Sequence, residues 1–227
     1  MARSTNTEPQ VPRLPAVFDE LPVAALLALD GWTDLAISAD LVGADLARVD
    51  VARSRLTGCQ LTGARMDEAR ISDVVFEECE LSGVSFDECT FTRVEFRDCR
   101  MSGAQFGLAR LRDVRFSGCK LDGAGFRLVR GERVQALDCV LAAADFYAAE
   151  LSHAHFLRCD LSDADFSQAI VPDARLHGSG LDSLRGASAL VRARIDPSQV
   201  MPFAFALFGS LGIKVDDDAD ADDEDAE

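Results

Sequence analysis

Residues Leu81 to Phe126 read, in fives, LSGVS FDECT FTRVE FRDCR MSGAQ FGLAR LRDVR FSGCK LDGAG F. A large apolar residue opens every group: Leu81, Phe86, Phe91, Phe96, Met101, Phe106, Leu111, Phe116, Leu121 and Phe126. Two places before each stands a smaller one, such as Cys79, Val84, Cys89 and Ala104. The rhythm starts near Leu41, passes through Leu46, Val51, Leu56, Leu61, Met66, Ile71 and Phe76, and continues without insertion through Leu141 and Phe166 to Leu181. All seven cysteines fall in the second column.

Two inward positions in every five fit neither the helical period of 3.6 nor the strand period of 2. They fit a square coil in which each pentapeptide is one side and successive coils are joined by backbone hydrogen bonds. Roughly 29 pentapeptides then give about seven coils and, at ~4.8 Å per coil, a rod near ~35 Å long. Residues twenty apart should stack on one side, and they match in kind. One side reads Phe86, Phe106, Phe126, Phe146, Phe166, and the opposite side reads Phe76, Phe96, Phe116, Ala136, Phe156. Between them a third column reads Leu61, Leu81, Met101, Leu121, Leu141, Leu161, each with a cysteine two residues earlier.

These features resemble the pentapeptide repeat family, whose motif is loosely A(D/N)LXX, as in Ala44-Asp45-Leu46 and Ala164-Asp165-Phe166. The resemblance implies an all-β fold, a right-handed quadrilateral β-helix, with both repeat positions pointing inward. It implies no single function. Some members are rods of duplex-like width and negative charge that occupy the DNA-binding saddle of DNA gyrase and protect it from quinolones.

An open solenoid exposes core and strand edges at each end, so the ends need caps. Residues 1–38 form an N-terminal extension and cap containing Trp32, 39–183 the β-helix, 184–215 a C-terminal helical cap, and 216–227 a disordered acidic tail. Asp196-Pro197-Ser198-Gln199 reads as a helix start, and Pro202 makes a kinked or 3₁₀ first turn. Beyond it Val200, Phe203, Ala204, Leu207 and Leu211 lie on one side of the helix, and Met201, Phe205 and Phe208 on another. The rod's end can cover only one of these sides. A second copy of the chain is expected to cover the other, giving an end-to-end homodimer through Met201, Phe205 and Phe208. This region resembles the C-terminal dimerisation module of the gyrase-protecting relatives. The alternative is a monomer with the tail folded back.

The formal net charge of −16 sits mostly in that tail, where about nine acidic residues occur without a base. The body is only mildly acidic, about −4. No stretch reads as a signal peptide or membrane span, and seven cysteines without a CxxC pair point to reduced thiols and a cytoplasmic protein.

Little points to catalysis. His153, His155 and His177 occupy outward positions, and the inward cysteines are core residues whose thiols burial makes inert. No phosphate loop, zinc spacing or acid pair stands out, and no cofactor, metal or direct nucleic-acid contact is expected. Gly43, Gly63, Gly83, Gly103 and Gly123 read as corners.

Sorted by side, the outward positions of the Phe86 side carry Asp45, Asp67, Glu68, Asp87, Glu88, Asp145 and Asp165, the candidate partner-binding face. The side opposite Leu61 carries Arg53, Arg70, Arg93, Arg110, Arg112, Arg130 and Arg133, interleaved with Asp73, Asp113 and Glu132. Gly131 and Ala136 take large positions, so one coil is expected to be underfilled or bulged. The expected function is that of a non-enzymatic interaction protein, with DNA gyrase as the partner the family suggests. A general protein-binding scaffold is the alternative.

Overall fold

The computed structural model describes residues 7–214, so the acidic tail lies outside the described residues. The chain is wound into a right-handed parallel β-helix. Its strands are β1 (Gly31–Thr33), β2 (Ala36–Ile37), β3 (Asp50–Ala52), β4 (Arg55–Thr57), β5 (Arg70–Glu77), β6 (Thr90–Arg97), β7 (Arg110–Ser117), β8 (Arg130–Leu137), β9 (Glu150–Ser152) and β10 (His155–Leu157). Each eight-residue strand runs across two adjacent sides, those of Phe91 and Phe96. The Leu61 and Phe86 sides are joined by single bridges such as Gln60↔Glu80 and Ser85↔Gln105. Register is twenty residues per coil, as in Phe91↔Leu111 and Leu111↔Gly131.

The square shape comes from one repeated backbone event. The second residue after each large one takes a positive φ, as at Glu68 (58°), Asp73 (57°), Glu78 (53°) and Gly83 (64°). Turning there costs a non-glycine residue about 1–2 kcal/mol, least for aspartate, whose side chain can bond locally. The expected column of corner glycines is present at φ 63–66°. Closing each corner leaves the next side's amides free to donate to the coil above, as Leu81 N does to the Arg100 carbonyl at 2.6 Å.

The interior is a set of ladders. Phe86, Phe106, Phe126 and Phe146 stack at centroid distances of 5.1, 4.9 and 4.9 Å, and Phe76, Phe96 and Phe116 at 4.8 and 5.0 Å. The two ladders meet edge to face, Phe106 against Phe116 at 86°, an arrangement that suits the ring quadrupoles. All seven cysteines are free and buried. Six of their thiols donate to carbonyls of the preceding coil, as Cys89 does to Met66 at 2.9 Å and Cys59 to Ile37 at 3.3 Å, and Cys139 donates to Leu137 in its own coil. Burial pushes the Cys89 thiol up to about 12.

The ladder continues past residues 39–183 at both ends, in coils one residue shorter. Trp32 pairs with Val51 and Ile37 with Leu56, and Arg175 bridges to Arg194. At the N-terminal end the short helix α1 (Val23–Leu26) closes the core with buried Leu26, whose carbonyl accepts the Trp32 indole N–H at 3.1 Å. At the other end a 3₁₀ turn at Pro197–Gln199 leads into α2 (Val200–Ser210), as the sequence predicts. The Gln199 amide donates to the Leu176 and Ser179 carbonyls at 2.7 and 2.6 Å and ties the helix start to the last coil.

The coil of Gly131 and Ala136 is underfilled and not bulged, because its register is unbroken on both sides. Leu151 and Val134 lean over Gly131, where a Cβ would lie 2.6 and 2.9 Å from their methyl carbons. Beside Ala136 an enclosed cavity of about 10 Å³ remains, lined by apolar side chains including Phe116 and Phe156. Without polar groups it stays dry. Ala136→Leu is expected to raise stability by about 1 kcal/mol by filling it, measured as an increase in the denaturant midpoint. A fall would show that the hole is too narrow for the added methyl groups.

Candidate functional site

The Phe86 side brings its carboxylates to the surface, but most are held by arginines one coil away. Asp45 pairs with Arg65, Glu68 with Arg48 at 3.0 Å, Asp145 with Arg127 at 2.8 Å and Asp165 with Arg185 at 3.3 Å. Asp67 accepts the Ser85 hydroxyl, and Asp87 accepts the Gly107 N–H at 2.7 Å. Among the described residues Asp67, Asp87 and Glu88 are the candidate carboxylates without an ion pair. The Arg65 hydrogen bond holds the Asp45 carboxyl below its usual range, and the Arg48 bond does the same for Glu68. Such exposed pairs add little stability. Their effect is to neutralise the face.

The acids also fall in two groups, Asp45 to Glu88 toward the N-terminal end and Asp145 with Asp165 toward the other. Between them the surface holds exposed leucines beside Gln105 and Arg127. Leu108 and Leu128 occupy stacked corners at φ 60° and 58°, exposed at 55% and 49%. Tyr147 stands beside them with the Arg127 guanidinium 4.4 Å from its ring centre. This apolar centre was legible in the sequence, since Leu108 and Leu128 are twenty apart at an outward position.

The arginine-bearing side is likewise self-neutralised. Its corner column alternates in sign: Asp34 with Arg53, Asp73 with Arg93, Asp113 with Arg133, then His153, then Asp173 with Arg192. Arg112 and Arg130 lie 3.6 and 3.8 Å from Glu132 and Glu150. Arg70 and Arg110 have no ion pair among the described residues. A shallow groove of about 610 Å³, with Gly131 at its middle, runs along this side.

At the C-terminal end Phe203, Ala206 and Leu207 pack on the core, whereas Met201, Phe205 and Phe208 stand exposed. Val200 and Leu211, expected on the rod side, are exposed too. Val200 opens the helix and Leu211 caps its C-terminal end, so neither lies in the middle turns that pack on the core. Of the outward histidines, His155 is buried instead of exposed. Burial first, and then nearby Arg175, push its pKa below the usual range. No group of three or more His, Cys, Asp or Glu among the described residues is placed to hold a metal ion. No helix among them is long and apolar enough to cross a membrane.

A family model described as pentapeptide repeat region matches residues 49–126, and one described as pentapeptide repeats (8 copies) matches residues 139–179. No curated protein sequence matches the chain. Among solved structures, two trypsin-treated forms of QnrB1, a plasmid-mediated fluoroquinolone resistance protein, align with 23% and 22% identity and TM-scores of 0.51 and 0.50. Each alignment covers 82% of this chain, with 91% and 100% of the respective QnrB1 chains. HetL from the cyanobacterium Nostoc aligns at 23% identity over 72% of this chain and 86% of its own, with a TM-score of 0.24. At these identities the likeness to QnrB1 is one of fold. By its matched repeats and the square coil they build, the chain belongs to the pentapeptide repeat family.

Proposed function

We propose that the protein is a non-enzymatic rod that binds another protein through its Phe86 side, and that its partner is a type II topoisomerase, DNA gyrase. The observation that carries the binding reading is the composition of that side: Leu108, Leu128 and Tyr147 at the centre, with carboxylates on both flanks. An apolar, aromatic centre inside a charged rim is the anatomy of a protein interface. The topoisomerase reading draws on the fold shared with a fluoroquinolone resistance protein and on the exposed face of α2, which suits an end-to-end homodimer able to span a long groove. Electrostatic imitation of duplex DNA is a weak part of it. A duplex carries one charge per ~1.7 Å of axis, whereas four of the seven candidate carboxylates here are paired with arginine.

A supercoiling assay with purified gyrase tests this directly. Inhibition at a tenfold excess of the protein, together with relief of quinolone-stabilised cleavage, is expected. No effect on either would discard the topoisomerase and leave the general scaffold. With activity established, Leu108→Ser combined with Leu128→Ser should weaken it at least tenfold. Neutralising Asp67, Glu68, Asp87 and Glu88 as their amides should weaken it less; the reverse order would restore charge imitation as the main source of affinity.

A further inference from the structure

The outward positions at Val75, Glu95, Gln135 and His155 are buried, although equivalent positions on the other sides are mostly exposed. Over Gln135 and His155 lies the chain's own N-terminal segment. Residues 7–14 run lengthwise along the rod and cross several coils. Glu8 accepts the Gln135 side-chain amide at 3.1 Å and lies 3.8 Å from His155 Nδ1. Farther along, Gln10 N–H donates to Asp113 at 3.1 Å and Arg13 N–H to Asp73 at 2.9 Å.

The segment reads Pro9-Gln10-Val11-Pro12-Arg13-Leu14-Pro15, with proline at every third place. Proline fixes its own φ and holds the residue before it extended. Only Gln10 and Arg13 are therefore left unconstrained, and the stretch is set as a polyproline-II helix of three residues per turn. Three such residues rise ~9.3 Å, and two coils of the rod rise ~9.6 Å. The two spacings agree, so each amide that follows a proline meets the aspartate of every second corner.

Those aspartates are prepared for the role. Arg93 grips both Asp73 oxygens at 2.6 Å, and Arg133 grips those of Asp113 at 2.6 and 3.1 Å. Each keeps acceptor capacity for one incoming N–H. The Asp113 side chain is only 2% exposed. Burial opposes its charge, but the hydrogen bonds from Arg133 and Gln10 outweigh it and hold the carboxyl below its usual range. Pro9 is buried in the groove, whereas the side chains of Glu8, Gln10, Val11 and Arg13 are exposed. Backbone donors and proline rings make most of the fit, so it depends little on the intervening residues.

We propose that this corner is a recognition groove for a polyproline-II segment with proline at every third residue. Residues 9–15 are its cis-bound occupant, and a like segment of another protein exchanges with them. A terminal segment held by so few bonds opens at low free-energy cost.

The test uses the full chain and a fluorescent peptide of residues 7–16. Pro9→Gly, Pro12→Gly and Pro15→Gly together loosen the resident segment while leaving the rod untouched. The triple variant should bind the peptide at least tenfold more tightly than the unaltered chain. The same peptide methylated on the nitrogens of Gln10 and Arg13 should not bind. Equal binding to both chains, no binding to either, or undiminished binding of the methylated peptide would overturn the proposal. In the unaltered chain the Gln10 and Arg13 amides should exchange hydrogen at least tenfold more slowly than those of Val11 and Leu14. Equal rates would also overturn it, without recourse to any variant.

Discussion

Replacing Phe106 with alanine is expected to destabilise the rod by about 3–5 kcal/mol, the upper range for removing a buried aromatic ring. The ring is fully buried. It stacks between Phe86 and Phe126, meets the edge of Phe116 at 6.1 Å, and lies 5.8 Å from Phe91. Each well-oriented aromatic pair adds about 0.5–1.5 kcal/mol beyond area burial, and alanine loses all of them. The wall cannot move in to compensate. Phe106 N donates to Gly125 O at 2.7 Å and Gln105 N to Val84 O at 2.9 Å, which fixes this side to the coils above and below. Equilibrium denaturation measures the loss. A value under about 1 kcal/mol would mean that the walls are not rigid but collapse around small residues.

Phe205→Glu together with Phe208→Glu should abolish the end-to-end homodimer proposed above. Both rings stand exposed on the solvent side of α2, with Met201 beside them, and burying two carboxylates in an apolar contact removes the reason to associate. We expect the dissociation constant to rise more than a hundredfold, the scale for losing aromatic anchors at an interface, as read by sedimentation velocity at micromolar concentration. Leu207→Ala is the control. Leu207 packs on the core, so this change should loosen the cap and leave association largely intact. A monomeric unaltered chain at that concentration would falsify the homodimer outright.

The solenoid was legible because its signal is a simple period in which every inward column repeats after twenty residues. The same arithmetic reaches the surface. Asp73 with Arg93, Asp113 with Arg133 and Asp138 with Arg158 are each twenty apart, so the neutralisation of the charged faces could have been read from the register that revealed the core. The end coils were hidden because a nineteen-residue spacing, as between Trp32 and Val51, breaks the rhythm by one. The N-terminal strap, residues 7–15 lying along the rod, was hidden for another reason. Its bonds join residues as far apart as Glu8 and Gln135, and the proline spacing that encodes it has meaning only once the rise of the coil is known. For the same reason His155 looked free when its side of the rod was counted as solvent.

The alternating corner column sets a rule for how such a shaft can change its length. Tandem duplication of a single coil between those of Asp73 and Asp113 would place arginine over arginine, or aspartate over aspartate, and would put the two carboxylates out of step with the prolines lying across them. Duplicating two coils preserves both the pairing of opposite signs and the match to the strap. The smallest neutral increment of growth is therefore the coil pair, a forty-residue module, even though the backbone itself repeats twice as often.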